Sequence, residues 1–186
     1  MPADEGRGPL SILVLCSHNR TRSVIIRALL HLHLSELGVD ADIATAGFHD
    51  DGMPPTAPTV TLLAERGIDV GGHSSRRVTG GDVERADLVV VAERDHVVRI
   101  AADHGGFAKT FTLPELVREA ELTTPLQGAP IGPWLERINA RRPAGRAYLA
   151  SAVPEIADPT GHTRPTWEAT IAEIDDLTAR LARTLA

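Results

Sequence analysis

Short apolar runs alternate with helical spacings along the whole chain, which predicts a single α/β domain around a mainly parallel sheet. Two further observations point the same way. The strand candidates are continuous apolar runs, such as "SILVLC" and "ADLVVVA", which suit strands covered on both faces. No internal repeat and no compositional break divides the 186 residues.

Taken in order, residues 1–8 read as a polar, disordered tail, and 9–186 as the domain. "PLSILVLC" (9–16) is the first buried strand. From about Arg22 the spacing turns helical, with Val24, Ile25, Ala28, Leu29, Leu32 and Leu37 on the apolar face and Gly38 as the stop. "ADIATA" (41–46) is a second strand, closing a right-handed βαβ unit. A helix at 58–67, a strand at 86–92, a helix at 94–106 and a last strand at 109–113 follow. Residues 114–154 form a long, less regular connection, rich in Pro and Gly around one short helix from Trp134 to Ala140. Pro165 suits the first turn of the final helix, whose face carries Trp167, Ile171, Ile174, Leu177, Leu181 and Leu185. Gly71-Gly72 and "GGD" (80–82) read as turns, not dinucleotide loops, since neither follows a strand and opens a helix at the needed spacing.

Composition narrows the function classes. The chain is 42% hydrophobic, enough for a sizeable core, yet no apolar run reaches the length of a membrane span. The first eight residues lack the apolar stretch of a secretory signal. A single cysteine cannot close an internal disulfide, so a reducing, cytoplasmic setting is expected. The formal charge of −6 argues against a general nucleic-acid binder, and aromatics at 3% leave few rings for any pocket. His31 and His33 invite a metal reading, but side chains two apart on a helix do not face together, and no metal site is expected.

The chemistry-bearing stretch is "LVLCSHNRTRSVII" (13–26). In open α/β sheets ligands bind beyond the carboxyl ends of the strands. Cys16 ends the first strand there, and the loop Ser17, His18, Asn19, Arg20, Thr21 must turn over the N-terminus of the following helix. Unpaired backbone N–H groups and the helix dipole converge at such a place and attract an oxyanion. The same field favours a thiolate over a thiol. Arg22 adds a planar fork matched to two phosphate oxygens. A lone cysteine is equally at home as a small buried hydrophobe, and an arginine six positions away is a modest signal in an arginine-rich chain.

Cys16, Asn19, Arg22 and Ser23 resemble the C-x-x-N-x-x-R-S signature of low-molecular-weight protein tyrosine phosphatases. "ATAG" (44–47), "ERGIDVGGHSSRRVT" (65–79), "ADLVVVAERDH" (86–96) and "DPTG" (158–161) resemble further segments of that family, in the same order. The resemblance implies a four-stranded parallel sheet flanked by helices in three layers, and a phosphomonoester hydrolase that needs no cofactor and no metal. Cys16 would attack phosphorus and form a cysteinyl-phosphate, with Arg22 and the loop amides of Ser17 to Thr21 holding the oxygens. Asp158 would protonate the leaving oxygen and then activate water, and Ser23 would hydrogen-bond the sulfur. Asn19, Thr45 and His73 match positions that brace the loop. A phosphorylated protein or a small phosphate ester would be substrate, with phosphate and vanadate as inhibitors and no nucleic-acid or membrane partner. From the residues alone, Asp50 and Asp51 are as plausible an acid as Asp158.

The chain also departs from that pattern. Thr21 stands where the family often carries a second cysteine, and His18 where it carries glycine. His18-Asn19 resembles the loop of some arsenate reductases on the same fold, so a single-cysteine arsenate–thiol transferase is the alternative; a non-catalytic oxyanion-binding module is a third reading. Thr160 follows Asp-Pro where phosphotyrosine-specific members carry Tyr or Trp. The 114–154 connection reads equally as a lid over the site, with Trp134 or Tyr148 supplying a ring, or as a surface insertion.

Overall fold

A computed structural model describes residues 8–49 and 51–186. The expected tail, apart from Gly8, and Asp50 lie outside the described residues. Four parallel strands, β1 (Leu10–Cys16), β2 (Ala41–Gly47), β3 (Leu88–Val91) and β4 (Thr110–Thr112), form one sheet in the order β2-β1-β3-β4. β1 is central and apolar throughout, because both of its faces are covered. Ile12, Val14 and Cys16 join one core cluster, while Leu13 and Leu15 join the other. The helices α1 (Arg22–Glu36), α5 (Leu113–Glu121) and α8 (Arg164–Leu185) cover the first face. The second carries α3 (Gly80–Arg85) and α4 (Arg94–His104). α2 (Ala57–Ala64) packs beside α1.

All six apolar residues expected on the face of α8 are buried, and α8 lies along α1. In α1 the expected stripe is partly displaced: Leu32 and Leu37 are exposed, while Ile26, Leu30 and Leu34 are buried. α1 is wedged between the sheet and α8, so its buried arc is wider than one stripe and is centred on Ile26 and Leu30.

Three helices were not evident in the sequence. α3 is opened by the very glycines read as turn residues; Thr79 Oγ1 accepts from Asp82 N at 3.2 Å and Asp82 accepts from Thr79 N at 2.9 Å. α5 follows β4 without a linker, starting from the Thr112 cap and Pro114. α7 (Arg146–Ala150) is one short turn beyond α6 (Ile131–Asn139), which is the expected helix at Trp134–Ala140 begun three residues earlier and ended one residue sooner.

The 114–154 region is tied down by an ion pair. Arg142 is caged by the rings of Phe107, Phe111 and Tyr148, with its guanidinium carbon 4.1, 4.1 and 4.7 Å from their centres. Its Nε donates to Glu115 at 2.9 Å, and its remaining nitrogens donate to Glu115 and to the carbonyls of Phe107 and Thr110. Both partners are buried, and nearly all of their polar atoms are engaged, which a buried pair requires.

Candidate active site

β1 is neighboured by β2 on one side and β3 on the other, so its carboxyl end is the topological switch point of the sheet. There Cys16 pairs in register with Gly47, and the loop Ser17–Thr21 bridges β1 to α1. The loop carbonyls are tied outward. Ser17 O accepts from Phe48 N at 2.8 Å, Arg20 O from Thr56 N at 3.0 Å, and Asn19 O from His73 Nε2 at 2.7 Å. The peptide N–H groups of Ser17, Asn19, Arg20 and Thr21 make no hydrogen bond among the described residues. Carbonyls tied away and amides left unpaired are the arrangement an anion cradle requires.

Two buried side chains hold this shape. Asn19 sits at φ 55°, a conformation asparagine tolerates better than most residues. Its Nδ2 donates to Ser23 Oγ at 3.0 Å, and its Oδ1 accepts from Arg76 N at 3.1 Å. Ser23 Oγ lies 3.1 Å from Cys16 Sγ. Gly47 is required by close approach: a Cβ there would stand 2.8 Å from Asn19 N, 2.9 Å from Ser17 O and 3.0 Å from Cys16 O. Thr45, the third residue expected to brace the loop, does not do so. It is buried on β2, and among the described residues its hydroxyl has no hydrogen bond to the loop; the support comes two residues later, from Gly47.

Arg22 is 2% exposed, yet it reaches three acceptors. Nη2 donates to Asp158 Oδ2 at 2.8 Å, while Nη1 donates to Glu93 Oε1 and to the carbonyl of Ile156. Its Nε has no partner among the described residues. Asp158 thus comes to the loop from 142 positions away, whereas Asp51 accepts from Arg77 N at 2.6 Å and is spent on that turn. Burial by itself raises the Asp158 carboxyl. Hydrogen bonds from the Thr160 backbone and hydroxyl, with the charges of Arg22 and His18, outweigh burial and hold it below the ordinary carboxylate range.

Two participants escaped the sequence reading, Glu93 and His96. Both follow β3 at the same carboxyl end as Cys16, and that placement was the available signal. Glu93 N donates to His96 Nδ1 at 3.3 Å, which leaves Nε2–H to donate to Ser17 Oγ at 3.1 Å. Burial drives His96 down to about 4; the Glu93 charge opposes that shift and Arg22 adds to it. Phe48 stacks on its ring with centroids 5.0 Å apart.

The cleft above the loop has a volume of about 250 Å³, and its outer wall is His18, Arg20, Thr56, Asp158 and Thr160. No ring of Phe, Tyr or Trp lines it. All six such residues are committed elsewhere: Phe107, Phe111 and Tyr148 around Arg142, Phe48 on His96, and Trp134 and Trp167 in the core. No residue of 114–154 lines the cleft, so Trp134 and Tyr148 do not supply the ring. His33 pairs with Asp175 at 2.7 Å.

Fold and loop together define an α/β domain with a cysteine at the foot of a C-x5-R loop, at the carboxyl end of a parallel sheet. The family model for the low molecular weight phosphotyrosine protein phosphatases matches residues 11–129, and the chain belongs to that family. It is 35% identical over 94 residues to a probable low molecular weight protein-tyrosine-phosphatase, EpsP, from Ralstonia nicotianae, a stretch covering 50% of this chain and 63% of that protein. It is 31% identical over 110 residues to a protein-arginine-phosphatase from Bacillus subtilis, covering 58% of this chain and 73% of the relative. A crystal structure of a YwlE mutant from Bacillus subtilis superposes with a TM-score of 0.72 at 24% identity, covering 94% of this chain and 97% of that one. Among the described residues no helix is long and apolar enough to cross a membrane.

Proposed function

We propose that the protein is a cysteine-dependent phosphomonoester hydrolase working through a cysteinyl-phosphate. The observation that carries this reading is Arg22: a buried guanidinium with an unpartnered Nε, whose Nη2 holds Asp158 at 2.8 Å above the loop that starts at Cys16. A phosphate dianion lying on the loop amides takes Nε, and Asp158 then stands over the ester oxygen. The Cys16 sulfur attacks in line; the S–P bond forms, the P–O bond to the leaving group breaks, and Asp158 gives its proton to the departing oxygen. Water then attacks phosphorus, Asp158 takes back a proton, and the S–P electron pair returns to sulfur, where the Ser23 hydroxyl 3.1 Å away stabilises the charge. Asn19, His73 and Gly47 hold the loop, and Glu93 orients Arg22 through its second edge.

Before substrate binds, Arg22 and Thr160 keep Asp158 ionised. A phosphate dianion that occupies Arg22 and brings negative charge beside the carboxylate raises it, so that it serves as the acid. The arsenate–thiol transferase reading has no use for a leaving-group acid held this way. As to substrate, relatives named for phosphotyrosine and for phosphoarginine make both candidates, beside small phosphate esters. The deciding experiment assays an aryl phosphate, a phosphotyrosine peptide, a phosphoarginine peptide, a sugar phosphate and arsenate side by side. Intact mass measurement after rapid quench looks for phosphate on the wild-type chain but not on Cys16→Ala, which has no nucleophile at this position. Arsenate turnover without ester hydrolysis, or turnover in Cys16→Ser, would overturn the reading.

A further inference from the structure

The cleft contains two guanidinium groups, and only one is neutralised. Arg22 meets Glu93 and Asp158. Arg20 lines the outer wall of the same cleft, and among the described residues no carboxylate pairs with it. It is nevertheless held in place. Its Nε donates to Pro54 O at 2.8 Å, and its own carbonyl accepts from Thr56 N at 3.0 Å, so both ends of the residue are fixed to the 54–56 segment. Nη1 and Nη2 have no partner among the described residues. A guanidinium with its stem fixed and its paired N–H edge uncommitted is preorganised for a second, planar anion.

The phosphate itself does not need this charge, since the loop amides and Arg22 serve it. The remaining wall offers Thr56, Thr160 and His18 and no Phe, Tyr or Trp ring, so recognition of the leaving group rests on charge and hydrogen bonds rather than stacking. We propose that Arg20 is a specificity-determining residue, and that the preferred substrate is a phosphomonoester whose leaving group carries a second anionic group beside the phosphate. This rests on the phosphatase reading above. The second anion comes either from an acidic residue flanking a phosphorylated side chain in a protein, or from a carboxylate in a small phosphate ester. The same charge disfavours a substrate with a cation next to the phosphate, as in phosphoarginine.

The test compares selectivity ratios within each variant, so that changes in overall activity cancel. One arm uses a phosphotyrosine peptide with a flanking Glu against its Gln twin; the other uses carboxyphenyl phosphate against its methyl ester. In the wild type kcat/KM should favour the anionic member about tenfold, as for a partly desolvated charge-assisted contact. Arg20→Gln should bring the ratio near one, Arg20→Lys should leave it intermediate, and raising salt should compress it in the wild type and in Arg20→Lys but not in Arg20→Gln. A shift in one arm names the source of the anion; a wild-type ratio near one in both arms, or one that Arg20→Gln leaves intact, overturns the proposal. Hydrolysis of the neutral esters with a ratio near one would sink this inference and leave the phosphatase reading standing. If no ester turns over, the latter fails, and calorimetric binding of carboxylated and neutral aryl phosphonates to Cys16→Ser and to the Cys16→Ser, Arg20→Gln double variant decides the Arg20 contact separately, equal affinities overturning it.

Discussion

Gly47→Ala places the most direct geometric demand on the catalytic loop. A Cβ at this position meets three backbone atoms of the loop, Asn19 N at 2.8 Å, Ser17 O at 2.9 Å and Cys16 O at 3.0 Å. Ordinary contacts begin near 3.4 Å, so the loop must retreat by about 0.4–0.6 Å, the difference between 3.4 and those distances. None of the three atoms is a side-chain end that can swing away. Retreat stretches the bonds that hold the loop, Asn19 Oδ1 from Arg76 N and Ser17 O from Phe48 N. A misplacement of about 1 Å costs on the order of 100-fold in rate, so half of that should cost roughly tenfold or more in kcat/KM. Overpacking should also remove about 1–3 kcal/mol of stability, a melting-point loss of roughly 2–12 °C for a chain of this size. The assay is hydrolysis of 4-nitrophenyl phosphate with thermal melts in parallel, at a temperature where circular dichroism shows the variant folded. Wild-type kcat/KM in a folded Gly47→Ala would refute the claim that the approach of β2 shapes the loop.

Asp158→Asn should slow hydrolysis of phosphotyrosine, whose leaving group has a pKa near 10, far more than that of an aryl phosphate with an acidic phenol; equal losses would make Asp158 structural. Arg22→Lys should cost about 3–4 kcal/mol in the transition state by steady-state kinetics, because a point charge cannot reach phosphate, Asp158 and Glu93 together, and near-wild-type turnover would remove Arg22 from the mechanism. His96 is depressed to about 4 by burial, so below its unfolded value of 6.5 the unfolded chain binds a proton that the native chain refuses. Stability should therefore be full above about pH 6.5 and fall towards pH 4 by up to roughly 3 kcal/mol; thermal melts against pH that decline no more steeply than those of His96→Gln would contradict this. Arg142→Ala strands the buried Glu115 and should cost about 3–5 kcal/mol by urea titration, while the activity of the folded fraction persists because neither partner lines the cleft; loss of activity without loss of stability would mean that the 114–154 region acts on the site.

The local half of the site is legible in the order of the residues. An apolar run ending in Cys16, a five-residue loop and a helix beginning at Arg22 put thiol, amides and guanidinium within one turn of chain, and neighbours so close in sequence have few other places to go. The parallel sheet followed from runs such as "LVVV", because an uninterrupted apolar strand must be covered twice. The acid and the orienting groups depend on distant pairings. Glu93 and Asp158 lie 71 and 136 positions from Arg22, and no local periodicity distinguishes them from other carboxylates. Only the strand order β2-β1-β3-β4 brings the end of β3 beside Cys16 and Gly47 against the loop, and the carboxylate of Asp51, equal to Asp158 on the page, is consumed by the Arg77 amide. The exposure of Leu32 and the capture of Phe107, Phe111 and Tyr148 by Arg142 were decided in the same way. Burial and pairing are properties of what packs against a residue, and for contacts a hundred positions apart that partner is chosen by the closed fold.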